Sequence, residues 1–155
     1  MELIRYPVSD PSSNALSPGP ASISTIYNGS HVQSFDLYDF YFGCLSFVNI
    51  IDTIIGPPTE HTVPTPANCT LTVHGYHGER ENGPATSAKF DYIPIVGENS
   101  HTGAASAPMM HAILPAGFKH VKTVSFNATT AAPYLTDPGV YVDNVSYMVR
   151  NWTRY

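Results

Sequence analysis

Residues 35–47 read FDLYDFYFGCLSF, and the spacing of the apolar side chains in this stretch decides the fold class. Successive side chains of a strand point to opposite faces, so Tyr38, Phe40, Phe42 and Cys44 share one face, and Cys44 points with the aromatics into a core. A second stretch, CTLTVHGY at 69–76, alternates as cleanly: Cys69, Leu71 and Val73 face in, while Thr70, Thr72 and His74 face out. Cys44 and Cys69 are the only cysteines. Both lie on inward faces, and in an oxidising compartment an isolated pair bonds; the other reading is two buried thiols. Two cysteines do not make a zinc ribbon.

Outward from these two stretches the chain keeps the same grammar. Residues 1–22 hold SDPSSNALSPGP and read as an extended arm, too rich in Pro and Ser for an element. Residues 23–155 read as a single domain, long enough for a core. Its first strand falls at Ile23–Tyr27. The run LSFVNIIDTII (45–55) has spacing that a helix also shows, and reads as strand continuation plus loop. GPPTEHTVPTPA (56–67) reads as a Pro-rich loop, HGERENGP (77–84) as a polar turn and 97–108 as a loose Gly/Ala/Ser loop. Further strands are expected around Ala88–Ile95, at 109–115, at Val121–Asn127 with Val124 and Phe126 inward and Asn127 outward, and at Val140–Val149. Short strands divided by turns, without sustained helical periodicity, give an all-β, antiparallel sandwich.

The 155 residues are 43% hydrophobic but only 12% charged, with a net charge of -5 and seven Lys and Arg scattered singly. Nucleic acid binding needs clustered cations to displace counterions, so no nucleic acid partner is expected, nor an anionic membrane surface. No run approaches 18 apolar residues, so no membrane span is expected. Five glycosylation sequons begin at Asn28, Asn68, Asn127, Asn144 and Asn151, where the Asn and Ser/Thr content predicts about 1.6 by chance. The excess points to secretion or the lumen of the secretory pathway. MELIRYPV lacks the basic start and apolar core of a signal peptide, and the initial Met is expected to replace a removed leader.

FDLYDFYFGC, then CTLTVHGY, a methionine ahead of AILPAGF, VKTVSF and VYVDNVSY follow one another in an order that resembles a group of secreted fungal proteins of unassigned role. These in turn are similar to the galactose-binding-like, jelly-roll sandwiches of carbohydrate-binding modules. The resemblance spans roughly residues 35–149 and implies a jelly-roll sandwich with a glycan or small polar ligand as partner. It also implies a role for Asp143. If Asn144 carries a glycan and faces solvent, alternation turns Asp143 inward with Tyr141, Val145 and Tyr147. A buried carboxylate must be paired, coordinated or protonated. In such modules an acidic residue of the last strand joins a structural Ca²⁺, and Asp143 is the matching position; the rival reading has Asp143 capping backbone N–H groups at a strand bend. No other cofactor is implied.

Hydrolytic tools are absent: there is no G-x-S-x-G and no H-E-x-x-H. Asp36 and Asp39, at i and i+3 of a strand, are expected on opposite faces and so form no glycosidase pair by themselves. The densest polar cluster is HGYHGERE (74–81), which offers Tyr76 as a stacking platform, with His77, Glu79 and Arg80 as hydrogen-bonding partners; its plainer reading is a solvated hairpin turn. Tyr92 is a further ligand candidate, although single aromatics such as Tyr92, Tyr134 and Trp152 more often pack. Two function classes follow. One is a non-hydrolytic binding module for a glycan or small polar ligand. The alternative is a natural-product cyclase of pericyclic type, which needs no nucleophile, only a shaped apolar pocket and a hydrogen-bond donor. A structural or effector protein is the third. An exposed aromatic row with polar neighbours distinguishes the first, and a deep apolar pocket the second.

Overall fold

The computed structural model describes residues 21–52, 59–78, 83–98, 105–130 and 139–151. Its strands are β1 (Ala21–Ser24), β2 (Val32–Asp52), β3 (Thr59–Pro66), β4 (Cys69–Tyr76), β5 (Thr86–Tyr92), β6 (Gly97–Glu98), β7 (Ala105–Ser106), β8 (Met110–Ile113), β9 (Thr123–Thr129) and β10 (Gly139–Asn151). All pair antiparallel. One sheet runs β1-β9-β4-β5, the other β10-β2-β3 with β8 also on β2, and β6 pairs with β7. Both main sheets join an N-terminal strand to a C-terminal one, β1 to β9 and β2 to β10, as a jelly roll requires.

Phe40, Phe42 and Cys44 of β2 are fully buried, as are Leu71 and Val73 of β4 and Val124 of β9. Phe40 meets Phe126 and Phe90 of the opposite sheet edge to face, at centroid distances of 5.4 and 6.1 Å, the geometry ring quadrupoles favour. Cys44 and Cys69 are bonded across the two sheets. The inward set read from 35–47 holds except at Tyr38, which is exposed. Phe35 and Leu37 are buried instead, so the inward parity changes from odd to even positions within β2. Of the three register shifts in the β2–β10 pair, the one between Ser146 and Tyr147 leaves Tyr38 as an extra residue of β2 and accounts for this. A bulge adds a residue to one strand and reverses the alternation beyond it. Asp36 and Asp39 therefore point to the same side of the sheet, not to opposite faces.

Several expected boundaries move. The first strand begins at Ala21, inside the expected arm, and ends at Ser24; residues 1–20 lie outside the described part. β2 continues to Asp52, so residues 45–52 of the ambiguous run are strand, and 53–55 lie outside the described residues. The expected loop at 56–67 contains β3 despite its prolines. Ala67 donates its N–H to the Cys44 carbonyl at 3.0 Å. By alternation the nitrogens of Pro64 and Pro66 then point away from β2, where an edge strand needs no donor. Phe118, in a 3₁₀ turn at Ala116–Phe118, is fully buried and packs into the core cluster.

Candidate ligand-binding face

Between its bulge and the disulfide, β2 is flanked on both sides. Tyr41 pairs with His111 of β8 and with Asp143 of β10; Asp39 pairs with Ile113 and Ser146; Gly43 pairs with Tyr141. All lie on the face opposite Phe40 and Phe42. The rings of Tyr41 and His111 stack at 4.6 Å with a 15° interplanar angle. That separation matches the spacing of neighbouring strands, so both rings stand upright and stack along the line from β8 to β10. His111 thus backs one face of the Tyr41 ring. His111 is fixed in turn by Asp39, with Nε2 to Oδ1 at 3.2 Å. Tyr41 and Tyr141 are about 40% exposed, at 38% and 41%.

Beside Tyr141 the face opens into a cleft of about 290 Å³, lined by Gly43, Cys44, Leu45, Pro66, Tyr92, Met109 and Tyr141 among others. Gly43 sits where β2 exchanges β8, which pairs with residues 39–42, for β3, which pairs with β2 from Leu45 onward. A Cβ at Gly43 would meet the Tyr92 hydroxyl at 3.6 Å and Met109 Cγ at 3.9 Å, so this backbone position forms part of the cleft wall. The result is an apolar cleft flanked by tyrosines and bordered by a short polar strip of Asp39, His111 and Asp143.

The carboxylate that is buried is not Asp143 but Asp36, which is 1% exposed. It lies under Arg150 of β10, whose Nε donates to Oδ1 at 2.9 Å and whose Nη2 pairs with Oδ2. The backbone N–H of His120 donates to the same Oδ1 at 2.8 Å. The Arg150 hydrogen bonds hold the Asp36 carboxyl far below the usual aspartate range, against the opposing effect of burial, and Asp36 raises the Arg150 guanidinium in return. A fork of this kind fixes an arginine in orientation as well as in charge.

Asp143 is exposed, a correction to the inward position expected for it. Asn144 beside it adopts the left-handed region, with φ of 49°, and the bulge there puts both Asp143 and Asn144 in solvent. Asp143 Oδ1 accepts the Asn144 N–H at 2.7 Å, which is the capping role at a strand bend. Among the described residues no group of three or more His, Cys, Asp or Glu is positioned to hold a metal ion.

The other expected site residues are dispersed. Tyr92 is buried in the core at 4% exposure, tilted against Phe42, and donates its hydroxyl to the Pro108 carbonyl at 3.1 Å; burial pushes its phenol up. It reaches a ligand only as part of the cleft wall. Tyr76 is half-buried at the end of β4 and His77 is exposed just beyond it, while Glu79 and Arg80 lie outside the described residues, as do Tyr134 and Trp152. His74 is bonded to Ser87 of β5 at 2.8 Å, an ordinary cross-strand contact. All five sequon asparagines, Asn28, Asn68, Asn127, Asn144 and Asn151, are exposed. Tyr41, His111 and Tyr141 escaped sequence reasoning because their significance lies in cross-strand pairing. The one local signal was Tyr41 itself, an aromatic on the outward parity of a core strand. Among the described residues no helix is long and apolar enough to cross a membrane. Comparison of the chain with protein-family models, with curated proteins and with solved structures finds no match.

Proposed function

We propose that this chain is a secreted, non-hydrolytic binding module for a glycan or similarly hydroxylated ligand, and that the face around Tyr41 is its platform. One observation carries the reading: Tyr41, stacked on His111 and 38% exposed, has Asp143 of β10 paired directly opposite and Tyr141 at the next position of the same face. A sugar offers an apolar face of C–H groups and a rim of hydroxyls. The tyrosines suit the first, and Asp39, Asp143 and His111 suit the second. Exposure of all five sequon asparagines supports passage through the secretory pathway, since each is accessible to modification.

A second reading, a pericyclic cyclase, draws support from the apolar lining of the cleft. It ranks behind because the Tyr92 hydroxyl in the cleft wall is already committed to a carbonyl, which takes away a donor that could stabilise developing charge. A glycan array probed with multivalent protein tests the leading reading, with hits measured by calorimetry. Tyr41→Ala is expected to weaken binding by roughly tenfold, the loss of one stacking contact, while Tyr76→Ala at the end of β4 leaves it unchanged. Absence of any retained glycan, or equal binding by Tyr41→Ala, overturns the assignment.

A further inference from the structure

At the other end of the β2–β10 pair, a cleft of about 310 Å³ is lined by Gln33, Ser34, His120, Lys122, Arg150 and Asn151. Each of these side chains carries a hydrogen-bond donor or can do so, and no carboxylate is among them. The chain as a whole has a net charge of -5 and only seven Lys and Arg. Two of those cations and a histidine facing one cleft reverse the local sign.

The arrangement is held from beneath. Asp36 takes the Nε proton and one Nη2 proton of Arg150, two of the five a guanidinium offers. The Arg150 side chain is 37% exposed, so its remaining N–H groups are left for the cleft. The same carboxylate holds the backbone of His120, whose φ of 57° is a left-handed conformation uncommon outside glycine. Two residues on, Lys122 is pinned through its own backbone: its N–H donates to the Tyr76 carbonyl at 2.7 Å and its carbonyl accepts from Thr25 at 2.8 Å. Arg150 and Lys122 thus approach the cleft from two independently fastened strands or segments, and Asp36 is too deep to compete for what binds there.

We propose that this cleft binds a small oxyanion group, a carboxylate or a sulfate or phosphate ester, with Arg150 and Lys122 in direct contact and Ser34 and Gln33 completing the hydrogen bonds. A guanidinium with free N–H groups and an adjacent ammonium are the pair that recognises such groups. The site lies apart from the Tyr41 face and does not depend on the reading given to that face.

The test is an NMR titration of the whole chain with sodium sulfate, phosphate and acetate in turn, replacing chloride at constant ionic strength so that screening does not change. The expected result is saturable shifts of the Ser34, His120 and Lys122 amides and the Arg150 Nε–H. Saturation by sulfate or phosphate assigns an ester, and saturation by acetate assigns a carboxylate. Arg150→Lys also disturbs Asp36, so the deciding variants are Lys122→Ala and Gln33→Ala, which leave the Asp36–Arg150 pair in place. Lys122→Ala should weaken binding by roughly tenfold, the loss of one charge-assisted contact, and Gln33→Ala by less, while Tyr41→Ala should titrate like the unaltered chain. Linear shifts with every anion, or an unchanged titration in Lys122→Ala, overturn the proposal.

Discussion

The pairing of β2 with β10 is fastened at its two ends by different means. Near Gly139–Tyr141 the partner residues on β2 include Cys44, which is covalently tied to Cys69, and the carboxylate at this end, Asp143, stands in solvent on a bulge. Near Arg150 there is no covalent link, and the carboxylate, Asp36, is buried under a guanidinium. Where a disulfide holds the strand, the nearby acid stands in solvent and accepts one backbone N–H. Where no disulfide holds it, the acid becomes the fastener, and acid pH becomes the means of releasing it.

Breaking the covalent end has the largest expected effect. The bond closes a separation of 25 residues, and a loop of that size corresponds to about 3 kcal/mol in the chain-entropy account. The Cys44→Ala, Cys69→Ala double variant should lose that much in denaturant unfolding, with the midpoint lowered and the slope raised as the unfolded chain expands. Alkylation of two thiols in the native protein would contradict the bonded state.

Breaking the ionic end should cost slightly less. Asp36→Ala leaves the His120 N–H without its acceptor and the Arg150 head without its partner, and a change of roughly 2 kcal/mol is expected. The figure sits at the low end for buried pairs because Arg150 is partly exposed and regains water. Arg150→Met should destabilise in the same direction, and a double-mutant cycle should show the two effects to be far from additive.

The pH dependence separates the ends further. Because the folded pKa of Asp36 lies well below its ordinary value of 3.8, its contribution is fully present above that value and is lost as the pH falls from about 4 toward the depressed folded value. Thermal unfolding followed from pH 6 to pH 2 should show a decline below about pH 4 that is reduced in Asp36→Asn. An equal decline in the variant would place the acid sensitivity elsewhere. Asp143→Ala has the smallest expected effect, within about 0.5 kcal/mol, as befits a solvated side chain capping one exposed N–H. A loss of several kcal/mol there would mean that the bulge carries more of the fold than its exposure indicates.

The fold was legible where alternation ran undisturbed. CTLTVHGY has buried residues at each odd position, as its pattern reads, and both inward cysteines meet. It became illegible at bulges, because one inserted residue reverses every assignment beyond it. The inward position expected of Asp143 assumed a regular strand through Asn144, and the left-handed backbone there removes that assumption. β3 was hidden for another reason: prolines forbid a central strand but not an edge, and edge position is a property of the assembled sheet. The candidate face was hardest to read. His111 and Tyr41 are 70 residues apart in the chain, and only the β2–β8 register brings them together. Asp36 showed no signal either, since its partners Arg150 and His120 are supplied by tertiary structure.

The prolines of β3 and the bend in β10 have one more effect. A strand from a neighbouring molecule laid along the rim at β3 would meet, at Pro64 and Pro66, two positions with no proton to give. Laid along the rim at β10, it would find the backbone thrown out of line at Asn144, beside an exposed charge. Both β3 and β10 therefore resist the addition of a further strand to this sheet.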